Sequence, residues 1–362
     1  MQLNIKTEKL KEMVSKAIKG ASNNKLIPIT SLMCIQLESG TFTITTTDAT
    51  NYLYVKEEKV SGDDFYVVIE VDQFSKLISR LTCEEVNLTL KDNSLEVKGN
   101  GTYNIALPLD ENGSMIKYPD PMNEIELDES APNVYDLNFT TVQAILNSIK
   151  PALATTLEIP CYAGYYVGDK VVGTDTYKIA SMNVKLFDEP KLISPEMMNL
   201  LAVMTSEKIK VTISDNVLIF TSPDIAIYGN VMDGIENFQI EAISNLVESD
   251  FESVCKVSKS ELLQVLDRLS LFVGAYDKNG VNLVFTKSGL QVSSKSSDGV
   301  EILNYVESNN FKEFSCAIDI VMLAAQVKAN IDDVITIHYG GENSAIKLTD
   351  GNITQIIALL QE

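Results

Sequence analysis

Residues 88–98 read LTLKDNSLEVK, two runs of alternating apolar and polar residues that meet at Asp92-Asn93. Alternation with period two marks a half-buried strand, and the Asp-Asn pair suits the tight turn of a hairpin. The pattern returns as VTISDNVLIFT (211–221), with Asp215 lying 123 residues after Asp92, and as ITIHYGGENSAIKLT (335–349) around Gly340-Gly341. A second segment recurs at nearly the same period. TTTDATNYLYV (45–55), VGTDTYKIASM (172–182) and SSKSSDGVEILNYV (293–306) each contain an aspartate, and Asp48, Asp175 and Asp298 stand 127 and 123 residues apart. One third of the 362 residues is about 121, so a single unit repeated three times accounts for both series.

Helical periodicity repeats as well. Thr7–Lys19 places Leu10, Met13, Val14, Ala17 and Ile18 on one face behind a Thr7 cap. Thr140–Lys150 does so with Val142, Ile145, Leu146 and Ile149 before Pro151, and Ser258–Leu271 with Leu262, Leu263, Val265, Leu266 and Leu269. Further helices are expected from Asp72, Ser194 and Asp319, with Pro195 at a first-turn position where its missing N–H costs nothing. The fold class predicted is α+β: three tandem domains, 1–124, 125–248 and 249–362, each with two helices packed on antiparallel sheets. Linkers are expected near Asp120–Ser130 and Ile243–Asp250, both polar or acidic.

Composition narrows the function. Hydrophobic residues make up 45% of the chain, ample for such cores, and 50 acidic against 29 basic side chains give a formal charge of −21. No stretch approaches the ~20 apolar residues of a membrane span, and MQLNIKTEKLKE is too charged for a signal segment. Cys34, Cys83, Cys161, Cys255 and Cys316 show no paired spacing, which predicts reduced thiols and a cytoplasmic setting. The acidic total argues against indiscriminate nucleic-acid binding. The distribution is more informative: helices 7–19, 72–82, 140–150, 194–204, 258–271 and 319–329 together carry +3, which leaves −24 on the rest. The chain therefore has a weakly positive set of helices within an acidic exterior.

Catalysis finds no support. His338 is the one histidine, set in a strand pattern without a nucleophile motif, and reads as a packing or surface residue. Asp48, Asp175 and Asp298 fall one per repeat, too dispersed for acid–base work or a shared metal, and read as turn or strand-end residues. No phosphate-binding glycine loop or nucleophile elbow occurs, and Gly99-Asn100-Gly101 reads as a turn. A non-enzyme without cofactor or metal is expected.

These features together resemble the bacterial DNA polymerase III sliding clamp, the beta subunit of the replicase, over essentially the whole chain. VVGTDTYKIASM (171–182) is similar to that family's Thr-Asp-Gly-His-Arg-Leu-Ala turn: Thr174 and Asp175 match, Thr176 replaces Gly, Tyr177 His and Lys178 Arg, while Ile179-Ala180 keep the apolar pair. NKLIPI (24–29) resembles the family's loop after its first helix. VMDGIENFQIEAIS (231–244) resembles the linker between its second and third domains at Asp233-Gly234, without the Phe-Pro. ITQIIALLQE resembles the family's terminal strand and tail but lacks its proline.

The resemblance implies a homodimeric ring of six domains, with helices lining a hole for double-stranded DNA held independently of sequence. The cations it offers to phosphate are Lys9, Lys16, Lys19, Lys25, Lys76, Arg80, Lys150, Lys259 and Arg268. It implies ring closure through Tyr103 and Ile105 of one copy against Phe272 and Val273 of the other. It implies an apolar groove for client peptides, with Thr174, Thr176, Tyr177, Lys178 and Ile179 as one wall. Ala163, Ala242, Ile346, Ile356, Ile357, Ala358, Leu359 and Leu360 supply the rest. Partners would be a DNA polymerase subunit, a clamp loader and other repair or replication proteins. The competing reading is an acidic repeat scaffold for protein–protein contacts that forms no ring.

Overall fold

A computed structural model describes residues 1–124, 134–156, 158–214, 216–274, 276, 278–296, 298–341 and 344–361. Asp215 and residues 125–130 of the expected first linker lie outside the described residues. One order of elements appears three times. The first copy runs β1 (Gln2–Lys6), α1 (Thr7–Ala17), β2 (Leu32–Glu38), β3 (Thr41–Thr47), β4 (Asn51–Glu57), β5 (Phe65–Glu70), α2 (Val71–Arg80), β6 (Glu85–Lys91), β7 (Ser94–Lys98) and β8 (Thr102–Ala106). The second runs β9 (Val134–Leu137), α3 (Phe139–Ser148), β10 (Tyr165–Val167), β11 (Val171–Thr174), β12 (Lys178–Met182), β13 (Lys191–Ile193), α4 (Pro195–Leu201), β14 (Ile209–Ser214), β15 (Val217–Thr221) and β16 (Ile225–Asn230). After an additional helix, α5 (Ile240–Glu248), comes the third copy. It runs β17 (Ser253–Ser258), α6 (Lys259–Leu269), β18 (Gly280–Thr286), β19 (Gly289–Ser294), β20 (Val300–Leu303), an extra β21 (Glu307–Asn309), β22 (Phe314–Asp319), α7 (Ile320–Ala329), β23 (Val334–Tyr339), β24 (Ala345–Asp350) and β25 (Ile353–Ala358).

Strand order repeats with the elements. The first, sixth, seventh and eighth strands of a copy lie side by side, as β1-β6-β7-β8, β9-β14-β15-β16 and β17-β23-β24-β25. The others order as β5-β2-β3-β4, β13-β10-β11-β12 and β22-β18-β19-β20. The chain packs as two compact units, 1–142 with 196–231, and 143–195 with 232–362. In the first, β4 pairs antiparallel with β16, which fuses two four-stranded sheets into one of eight. In the second, β12 pairs with β25 in a sheet of nine. The packing units thus cut across the middle copy.

All six expected helices form, and the apolar faces read for α1, α3 and α6 are largely buried. Leu10, Met13, Val14 and Ala17 are buried on α1, and Leu262, Val265, Leu266 and Leu269 on α6. Ser258 and Asp319 cap α6 and α7 by accepting from backbone N–H groups. Thr7 is no cap: it is the first helical residue, buried, with its hydroxyl against Cys83 Sγ. The stretch expected as a second linker is the helix α5, because Ile240, Ile243 and Val247 form an apolar stripe that packs on Tyr166, Phe238 and Ile356. Among the described residues no helix is long and apolar enough to cross a membrane. All five thiols are free, and burial pushes those of Cys34, Cys255 and Cys316 up to about 12, leaving them protonated and unreactive.

The first two recurring aspartates, Asp48 and Asp175, are turn residues. Asp48 accepts from the backbone of Thr50 and Asn51, and Asp175 from that of Tyr177 and Lys178. Thr47 and Thr174 close the same turns through their hydroxyls. Ser294 serves in the third copy, where its hydroxyl accepts from Gly299. The turn forces a left-handed residue, Ala49 at φ 84° and Thr176 at φ 79°. A side chain there costs about 1–2 kcal/mol, partly offset by the entropy of glycine. Thr176→Gly is therefore expected to raise stability by up to about 1 kcal/mol, read from the urea midpoint. In the strand β11 that leads into the second of these turns, a Cβ on Gly173 would lie 2.8 Å from Ile149 Cγ2 and from Leu153 Cδ2. Gly173→Ala should cost about 1–3 kcal/mol in the same measurement, from overpacking.

Candidate functional site

The pairing of β12, β25 and β24 in the second unit creates a pocket of about 160 Å³. Its floor follows from strand alternation: Ala345 lies opposite Ala358, and Ile179 opposite Ile356, so these four share one face. The turn residues Thr176 and Tyr177 form one side. Leu246 at the end of α5, Ser249 and Phe251 form another, and Ser344 completes it. Tyr177 and Leu246 stand at the rim, 63% and 47% exposed. None of the ten lining side chains is charged. Such a pocket has the size and lining for one or two apolar side chains.

Five of the thirteen expected groove residues line it: Thr176, Tyr177, Ile179, Ile356 and Ala358. Ile346 and Ile357 are a correction. They pair with each other on the opposite face and belong to the third copy's core, with Leu359 against it, because successive strand residues alternate sides. Thr174 is buried in its turn and Lys178 is ion-paired with Asp175. Ala242 is exposed on α5, Ala163 lies in the Pro160–Ala163 turn, and Leu360 donates its N–H to Ala317. The sequence reading missed Leu246, Ser249, Phe251, Ser344 and Ala345. The i, i+3, i+7 apolar spacing of Ile240, Ile243 and Val247 was the available signal for the α5 wall.

Beneath the wall, Lys347 on β24 donates to the carbonyls of Val247, at 3.1 Å, and Ser249, at 2.6 Å. Its Nζ also lies 5.2 Å from the Phe251 ring centroid. Burial holds its pKa below that of an ordinary lysine. His338, opposite Lys347 in the ladder, sits 3.0 Å from Thr349 Oγ1. Burial, and then the Lys347 charge, lower its pKa, so it is a neutral packing residue.

The helix cations divide by environment. Lys16 is held by Glu12 at 2.7 Å and Asp224 at 2.9 Å. Lys9 pairs with Glu57, Arg268 is bidentate with Glu301, and Lys259 donates to the Asn330 carbonyl. Lys76 pairs with Asp72 within its own exposed helix, and Lys150 is exposed. Lys19, Lys25 and Arg80 are exposed with no carboxylate in ion-pair reach among the described residues. Lys328, in the last turn of α7, shares that state and was missed. The helix reads as neutral because Asp319 offsets it, yet Asp319 is nine residues away and spent on the cap.

The four expected closure residues also separate. Tyr103 is 39% exposed and Phe272 50%, whereas Ile105 is buried inside its own sheet, opposite Leu95, and Val273 packs against the third copy's core. β8 and β20 are edge strands. Around β20, Leu271, Phe272, Val300 and Ile302 are exposed.

Residues 1–112 match the family described as the DNA polymerase III beta subunit, N-terminal domain. No curated protein matches the chain. Among solved structures, the DNA polymerase sliding clamp of Bacillus subtilis is similar at 18% identity and a TM-score of 0.85, covering 100% of this chain and 99% of that one. The DNA polymerase III beta chain of Streptococcus pneumoniae is similar at 15% and 0.86, with 100% of both chains covered. The beta subunit of Thermotoga maritima is similar at 18% and 0.83, covering 100% and 99%. The whole chain therefore has the fold of the bacterial sliding clamps, and its first 112 residues match the N-terminal-domain family of the DNA polymerase III beta subunit.

Proposed function

We propose that this chain is a DNA sliding clamp, a non-catalytic processivity factor of the bacterial cytoplasm that encircles duplex DNA as a homodimer and docks client proteins. Its functional repeats are 1–124, 125–248 and 249–362. The observation that carries the reading is the pair of open edges. Within the chain, the third strand of each hairpin run pairs with the last strand of the next copy, as in β4 with β16 and β12 with β25. The third copy's counterpart, β20, and the first copy's last strand, β8, have no such neighbour among the described residues. Pairing β20 of one molecule with β8 of another repeats the same junction and closes a ring when done twice.

Side chains favour the same contact. In the second unit, the turn Lys150–Ala152 after α3 lies beside α7. Its third-copy equivalent, Ser270–Phe272, is exposed, and the equivalent of α7 is α2. There a hollow of about 540 Å³ is lined by Leu77, Arg80, Leu81 and Tyr103, among others. Phe272 of a second copy fits that hollow, which leaves Ile105 to its own core.

The exposed Lys19, Lys25, Arg80 and Lys328 would meet phosphates, which they can do without reading bases. The uncharged pocket would take the apolar anchors of a polymerase subunit, a clamp loader or repair proteins.

The decisive experiment loads the protein on nicked circular duplex and then linearises it. Retention on the circle and loss from the linear form are expected, with a sedimentation mass of twice 39.9 kDa. Phe272→Glu with Ile302→Glu should give the single-chain mass and no retention. A wild-type protein of 39.9 kDa that is never retained would return the chain to the acidic scaffold reading. Replacing Lys19, Lys25, Arg80 and Lys328 by alanine should flatten the salt dependence of DNA binding by about 0.9 for each phosphate no longer neutralised. Lys16→Ala and Arg268→Ala should change it little, because their charges are already matched.

A further inference from the structure

We infer that Lys347 is the positioning residue of the pocket, fixing its α5 wall to its sheet floor. The inference rests on the pocket being the client-peptide site and names the group that sets its shape. Lys347 stands opposite Ile356 in the β24–β25 ladder, two residues from Ala345, so it rises from the floor itself. Its ammonium spans to the carbonyls of Val247 and Ser249 and lies beside the Phe251 ring. It therefore grips the segment that carries Leu246, Ser249 and Phe251, three of the ten lining residues.

That segment needs an anchor. α5 has nine residues, only Ile243 of them fully buried, and a helix this short is marginal on its own. Its last turn holds no basic residue and carries Glu248, which opposes the helix dipole. Lys347 supplies from the sheet both the positive charge and the donors that the terminal carbonyls lack. A second tether, Lys170, reaches Ser244 Oγ at 3.1 Å and the Glu248 carboxylate at 3.9 Å, and neither residue lines the pocket. Without Lys347 the helix would stay attached through Lys170 and Ile243, while residues 246–251 would lose their fixed position.

The test uses the full chain with Lys347→Met, which keeps the apolar stem and removes the donors, and Lys347→Arg, which restores charge and donors. Two quantities are read: amide hydrogen exchange over 240–251, and binding of a fluorescein-labelled six-residue peptide with adjacent Leu and Phe and no acidic residue. The methionine variant should exchange at least tenfold faster over 240–251, with β12 and β25 unchanged, and bind the peptide at least tenfold more weakly. Arginine should recover most of both. Unchanged exchange over 240–251 in the methionine variant, or unchanged peptide affinity, overturns the inference. Should methionine disturb β12 and β25 as well, arginine that restores those strands but not residues 240–251 also overturns it. If the wild-type protein ignores the peptide while the methionine variant still loosens 240–251, the anchoring role stands and the client-site reading falls.

Discussion

An antiparallel sheet cannot leave its last strand with a bare row of N–H and C=O groups without inviting another strand to pair there. This constraint organises the molecule. At each junction one copy supplies the third strand of its hairpin run and the next copy its last strand. The chain pairs them wherever a following copy exists, at β4 with β16 and at β12 with β25. Backbone pairing across copies explains why packing divides the chain in two although the element order divides it in three. It also leaves β8 and β20 without that partner among the described residues.

The helices show how local positive charge persists in an acidic protein. Their apolar stripes are consumed by the sheets, so their remaining faces carry whatever charge the sequence gives them. Count alone misjudges that charge. Lys16 and Arg268 are matched at close range by Asp224 and Glu301, partners 208 and 33 residues away in the chain. What remains is a small number of exposed cations, Lys19, Lys25, Arg80 and Lys328, in a chain whose formal charge is −21.

The pocket depends on the same strand pairing. Ile179 comes from the second copy and Ala345, Ile356 and Ala358 from the third, so no single repeat contains its floor. The wall comes from α5, a helix outside the repeat. A pocket built where two copies of a duplicated unit join need occur only once per chain, because the added element breaks the symmetry.

The sequence by itself determined the periodic part. Three copies follow from spacings of 123 to 127 residues; six helices, the buried faces of α1, α3 and α6, and the turn roles of Asp48 and Asp175 follow from spacings of two, three or four that local geometry imposes. Tertiary structure decided the rest. The run Ile356–Leu360 reads as one apolar strip, but pleating sends Ile356 and Ala358 to the pocket and Ile357 to the core. Ile105 resembles an exposed edge residue, yet its sheet buries it. Lys16 counts as a free cation until Asp224 folds against it, and Lys347 as an ordinary strand lysine until α5 lies above it. Partners hundreds of residues apart leave no periodic trace, because their meeting depends on which strands pair and not on their separation along the chain.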